Sequence, residues 1–261
     1  MKDFSISDGD NIVWYYTEDW EKDPSAGHYV ASAGSGNKTE NKTETEYSTI
    51  STQLLEISYT DDSDFTKTLN TQFSQSLTER VAAFEEEAQK AFPIIPSGSK
   101  SSYTTTQSIK YNSNNFLSVV EEESIFKGGA HGMTVWNAHN IDFKNKRYVY
   151  LNDLFEAEGY EDRLNRMIDE VIANHPEKYT ELWMKPQIKE EHQYNFYITD
   201  TDLVIYFQPY ELSYYARGFV EFPLRLSELG GYLKEDYYFL SGNNKVENGE
   251  DDGTSSPFFI K

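Results

Sequence analysis

Cysteine is absent from this chain of 261 residues. That excludes disulfides, thiolate nucleophiles, cysteine-ligated zinc and iron–sulfur clusters. No apolar run reaches the roughly 18 residues that a membrane-spanning helix needs, so no span is expected. The first residues, Met1-Lys2-Asp3-Phe4-Ser5, lack the apolar core of a signal peptide. That leaves either a cytoplasmic protein or the mature part of an exported one. Positive charge is scarce, with 23 Lys and Arg against 44 Asp and Glu, a net charge of −21. Such a surface repels nucleic acid and anionic lipid, so neither is expected as a partner. The usual catalytic strings are missing too: no G-x-S-x-G elbow, no phosphate loop, no G-x-G-x-x-G, no H-E-x-x-H. What the chain does have is aromatic bulk, with 20 Tyr, 16 Phe and 4 Trp, far too much for a disordered polymer.

The order of segments points to an α+β fold, helices packed on a mostly antiparallel sheet. Residues 1–46 read as an N-terminal extension. It contains Trp14, Tyr15, Tyr16 and Trp20, the small run 31–36, and a polar stretch 37–48 that suits a linker or an exposed edge strand. Residues 47–59 carry strand-type patterning. Asp61-Asp62-Ser63-Asp64 then offers an N-cap, and Phe65, Leu69, Phe73, Leu77, Val81, Phe84 and Ala88 form one stripe at spacings of four and three. This predicts an amphipathic helix of about seven turns, ended by Pro93 and Pro96. Strands are expected at 103–111, 116–126 and 133–142, with a hairpin tip at Lys144-Asn145-Lys146. Helices are expected at 160–173, 177–184 and 227–233, and further strands at 194–198, 203–208 and 219–224. The implied organisation is a smaller αβ subdomain at 47–112, a larger one at 113–240, and an acidic tail at 241–261.

Five histidines offer little metal chemistry. His131 and His139 stand eight apart, about 26 Å on a continuous strand at roughly 3.3 Å per residue, so neither metal nor cofactor is expected. Glu121-Glu122-Glu123 reads as a solvated acidic strand end, since only the first and third share a face. Asp8-Gly9-Asp10-Asn11 and Glu250-Asp251-Asp252-Gly253 lack the spacing of calcium loops. Two strings stand out. Lys127-Gly128-Gly129-Ala130-His131-Gly132 implies positive φ angles or a close backbone approach, as a tight bulge or a ligand-facing loop. Pro209-Tyr210-Glu211-Leu212-Ser213-Tyr214-Tyr215-Ala216-Arg217-Gly218 is long for a hairpin and presents three tyrosines and an arginine, residue types that dominate binding hot spots. The binding residues expected are therefore Gly128, Gly129, His131, Pro209, Tyr210, Tyr214, Tyr215 and Arg217, with no catalytic set.

Gly128-Gly129-Ala130-His131-Gly132, then Asn140-Ile141-Asp142-Phe143 and Tyr150-Leu151-Asn152-Asp153-Leu154-Phe155, form one set of motifs. Asn195-Phe196-Tyr197-Ile198-Thr199, Pro209-Tyr210-Glu211, Ala216-Arg217-Gly218 and Glu221-Phe222-Pro223-Leu224 form another. Together they resemble the extracytoplasmic domain of RsiV-type anti-sigma factors, also found beside the catalytic domain of some peptidoglycan deacetylases and as stand-alone exported proteins. The strand and long helix at about 49–92 resemble the smaller domain that precedes it. The resemblance implies an extracytoplasmic α+β binding domain without catalysis of its own, lysozyme being the ligand in anti-sigma members. The expected partners are a cationic, lysozyme-like protein or a peptidoglycan component. The rivals are a wall hydrolase or deacetylase pairing His131 with Asp142 or Glu121, and a sugar-binding module using the N-terminal aromatics.

Overall fold

A computed structural model describes residues 29–31, 38–59, 63–94, 99–156 and 158–242. The aromatic cluster at 14–20, both acidic loop candidates and all but the first two residues of the expected tail lie outside them. The strands are β1 (Tyr29–Ala31), β2 (Lys38–Glu44), β3 (Ser48–Leu55), β4 (Ile57–Tyr59), β5 (Ser101–Ser113) and β6 (Phe116–Phe126). They continue with β7 (Met133–Asp142), β8 (Arg147–Tyr148), β9 (Phe196–Ile198), β10 (Asp202–Phe207) and β11 (Val220–Arg225). Helix α1 spans Ser63–Ala91 and α2 spans Tyr160–Asn174.

One sheet runs β2-β3-β5-β6-β7-β8, a second runs β11-β10-β9, and β1 pairs with β4. Among the described strands only β3 and β5 pair in parallel, and α1 lies in the crossover between them, as a parallel pair requires. The fold is α+β, as the segment order predicted.

Pleating decides what each face of the large sheet touches. Leu117 and Val119 of β6 and Ile141 of β7 pack with Leu69 and Phe73 of α1. Further along, Leu77, Val81, Phe84 and Ala88 close on Ile50 and Tyr103. The stripe read from the sequence is thus the contact face of α1. On the opposite face, Val120, Trp136 and Ala138 meet Tyr197, Val204 and Tyr206 of the small sheet. The alternate residues of that sheet, Leu203, Ile205, Phe207 and Phe222, share a core with Leu164, Met167 and Ile168 of α2. The layers run α1, large sheet, small sheet, α2.

Turn chemistry matches the hairpins. Asn114 and Asn115 both take positive φ, 53° and 59°, in the two-residue turn between β5 and β6, where asparagine tolerates the left-handed region. The 112/113 division drawn from the sequence falls inside this hairpin. At the β7–β8 tip, Asp142 accepts hydrogen bonds from the backbone and side-chain N–H of Asn145 at 2.9 and 2.8 Å.

Two expected helices are not formed. Instead of a helix at 177–184 there is a short 3-10 turn at Pro176–Lys178, after which the chain is tied to its neighbours. Tyr179 stacks on Phe222 at 5.0 Å, Ser213 donates to the Glu181 carbonyl, and the Trp183 N–H donates to the Leu212 carbonyl. Tertiary bonds have replaced the helical ladder. At 227–233 the Gly230-Gly231 pair leaves only a 3-10 turn at Leu226–Glu228, since consecutive glycines favour the unfolded backbone.

Candidate functional site

The two strings singled out in the sequence come together in space. The His131 ring stacks on Tyr215 with centroids 4.5 Å apart and planes at 17°. Its Nδ1 lies 2.7 Å from the Gly132 carbonyl. With Nδ1–H donating there, Nε2 accepts from the Tyr210 hydroxyl at 3.2 Å. Tyr210 adopts φ +75°, a left-handed backbone that costs a bulky residue roughly 1–3 kcal/mol and is characteristic of functional positions. It is held by the Glu211 N–H donating to the Gln208 carbonyl at 3.1 Å. Tyr210 and Tyr214 are exposed, while Pro209 is buried beneath them.

The glycines have separate causes. Gly128 takes φ +85°. Gly129 has no side-chain neighbour to avoid, since a Cβ there would meet only the His131 carbonyl at 3.8 Å. Gly132 is a close approach: an added Cβ would lie 2.8 Å from the Ile125 carbonyl oxygen. Gly132→Ala is expected to cost about 1–3 kcal/mol through backbone displacement, read as a lowered urea midpoint. An unchanged midpoint would show that the turn yields freely.

Arg217 and Tyr214 bind inward, to the segment beside the loop. Arg217 donates to the Lys178 carbonyl, and the Tyr214 hydroxyl to the Glu181 carboxylate. This brings the segment 178–184 beside the loop and adds exposed Trp183 and Met184 to the face. The sequence reading missed both, having placed them in a helix. A Trp-Met pair just before Pro186 was the available signal.

The acidic string behaves differently from expectation. Glu121 and Glu123 are 2% and 9% exposed, not a solvated strand end. Both carboxylates pair with Arg80 of α1, Glu121 at 2.7 Å. Gln107 donates to Glu121 at 2.9 Å and Tyr103 donates to Glu123 at 2.6 Å. Burial alone would lower the Arg80 pKa, and the Glu121 hydrogen bond and charge outweigh it, so the guanidinium sits above its ordinary value. Sequence could place Glu121 and Glu123 on one face but not Arg80 opposite them.

This network forms part of the floor of a cleft of about 550 Å³ that follows the outer edge of β7. Gln72, Ser76 and Arg80 contribute from α1, Asn137 and His139 from β7, Tyr150, Tyr194 and Asn195 from the chain beyond it, and Gln208 from beside the tyrosine loop. Burial lowers the His139 pKa, with the Glu121 charge opposing and Arg80 reinforcing. The Gln208 amide clasps Trp136, accepting from its N–H at 3.0 Å and donating to its carbonyl at 2.7 Å.

His131 does not meet the carboxylates suggested for it. Glu121 stands opposite Asn137 and Asp142 opposite Phe116 in the β6–β7 register, whereas His131 lies beyond the first paired residue, Met133. Asp142 is instead held by Asn145 and by the Tyr237 hydroxyl at 3.1 Å. Among the described residues, no three His, Asp or Glu side chains are grouped to hold a metal ion.

A long helix across one face of a mixed sheet, and a small sheet with its own helix on the other, define the chain as α+β, and two family models match it in sequence. Residues 41–134 match the model described as Deacetylase PdaC, and residues 152–227 match that of a protein of unknown function, DUF3298. A curated relative is the peptidoglycan-N-acetylmuramic acid deacetylase PdaC of Bacillus subtilis strain 168, 27% identical over 140 residues. That stretch is 50% of this chain and 29% of the relative, so the chain spans under a third of that protein's length.

Two solved structures share the fold. A DUF3298-family member from Bacteroides fragilis superposes with a TM-score of 0.64 at 16% identity, covering 77% of this chain and 93% of that one. A DUF3298-family protein from Pseudomonas aeruginosa PAO1 gives 0.56 at 14% identity, covering 77% and 94%. A PdaC-type segment followed by a DUF3298 segment fits an RsiV-type domain of the kind found with deacetylase-like domains.

Proposed function

We propose that this chain is a non-enzymatic, extracytoplasmic binding domain of the bacterial cell envelope, and that it recognises a cationic, lysozyme-like protein through the tyrosine-loop face. The supporting observation is the contact between the two strings, His131 stacked on Tyr215 with Tyr210 bonded to the imidazole. It presents Tyr210, Tyr214, Trp183 and Met184 as one exposed face. Aromatic side chains and Met are enriched at interface cores, and a net charge of −21 steers cations toward this molecule. A peptidoglycan component is the second reading, favoured by the relative whose name refers to peptidoglycan. On that reading the domain serves as a wall-binding accessory to hydrolase or deacetylase chemistry.

Titration calorimetry against hen lysozyme tests the first reading. Stoichiometric binding that persists at physiological salt is expected. Tyr210→Ala and Trp183→Ala should each weaken it about 30-fold or more, as hot-spot residues worth at least ~2 kcal/mol do. Binding seen only at low salt, or not at all, would remove the lysozyme reading.

A further inference from the structure

We propose that the cleft along the outer edge of β7 is a second binding site, and that its ligand is a short neutral oligosaccharide. It goes beyond the tyrosine-loop face and does not rest on it.

The first argument is uncommitted hydrogen-bonding capacity. The side chains of Gln72, Ser76, Asn137 and Asn195 line the cleft, yet none makes a hydrogen bond among the described residues. The Arg80 Nε is a buried donor without an acceptor, and most buried donors find one. Amides that both donate and accept match sugar hydroxyls, which do the same.

The second argument is shape and surface. Tyr194 is 60% exposed and stands edge-on to exposed Tyr150 at 4.9 Å. Both line the cleft, offering flat apolar faces with polar tips to the C–H face of a pyranose ring. About 550 Å³ lies within the span of small-molecule sites, roughly 300–1,000 Å³, and far exceeds a single ion.

Charge and backbone narrow the ligand class. The Arg80 charge is already met by Glu121 and Glu123, so the floor offers no free cation to an anionic ligand. A peptide strand laid on β7 would need its edge hydrogen bonds. Gln208 occupies both backbone groups of Trp136, and the Val149 N–H occupies the Asn140 carbonyl. A neutral, hydroxyl-rich ligand remains.

Titration of the whole chain with tri-N-acetylchitotriose and with cellotriose tests the site. Saturable binding of at least one trisaccharide is expected. Tyr194→Ala, and separately Asn137→Ala with Asn195→Ala, should each weaken it tenfold or more without moving the melting temperature. Tyr210→Ala with Tyr214→Ala should leave it unchanged. Three results would overturn the proposal: no binding of either trisaccharide at millimolar concentration, affinity that survives both cleft variants, or loss in the loop variant. Lysozyme titration of the same proteins reports on the loop face separately, so either site can fail alone.

Discussion

Arg80→Met is expected to lower the unfolding free energy by about 3–5 kcal/mol, the usual cost of stranding a buried charge. Methionine keeps the apolar stem against the sheet and removes only the guanidinium, so the loss reports on charge rather than packing. Glu121 and Glu123 would then face each other with only Gln107 and Tyr103 as donors. Urea unfolding at neutral pH measures the loss. Adding Glu121→Gln and Glu123→Gln to Arg80→Met should recover most of the loss. A deficit below about 1 kcal/mol in Arg80→Met alone, the value of an exposed pair, would show that water reaches the network freely.

The second large effect lies at alkaline pH. Tyr103, Tyr197, Tyr206 and Tyr237 are all held well above the ordinary tyrosine pKa, in each case first by burial. The Glu123 and Glu221 carboxylates add to it at Tyr103 and Tyr197, and the Asp142 charge adds to it at Tyr237. In the unfolded chain each ionises near pH 10. Above that value the unfolded state has lost protons that the folded state keeps, so stability falls as pH rises. The fall is about 1.4 kcal/mol per pH unit per tyrosine. Four together give about 5–6 kcal/mol per unit, enough to exhaust a typical stability of about 5–15 kcal/mol within one to three pH units. The last part of the rise in tyrosinate absorbance should therefore be steep and coincide with loss of circular dichroism. A smooth titration of all 20 tyrosines around pH 10, with secondary structure retained, would show that these hydroxyls reach solvent in the folded state.

The parts of this molecule that were legible in its sequence are those fixed by local pattern. The stripe from Phe65 to Ala88 gave α1 its place and its buried face. The strands 116–126 and 133–142 were bounded by turn residues whose conformations the structure bears out at Asn114 and Asn115. What escaped was set by contacts distant in the chain. Nothing near Glu121 announces Arg80, 41 residues away along the chain, and without it an acidic triplet reads as surface. The 177–184 segment has helical composition, but its hydrogen bonds go to Leu212 and Ser213. The cleft was illegible for the same reason, because its walls come from α1, β7, the 194–195 turn and Gln208. The tyrosine loop was visible because hot-spot residue types were concentrated in one continuous stretch.

The two margins of the large sheet bear on how copies of this chain meet one another. An aromatic-rich sheet with a bare edge invites a second sheet to join it strand to strand. At one margin, β2 reads Lys38-Thr39-Glu40-Asn41-Lys42-Thr43-Glu44, charged at every second position. At the other, β8 is two residues long, and the Gln208 amide fills the backbone positions of Trp136 that an incoming strand would use. Alternating charge and a side-chain plug thus guard opposite ends of one sheet against strand-to-strand self-association.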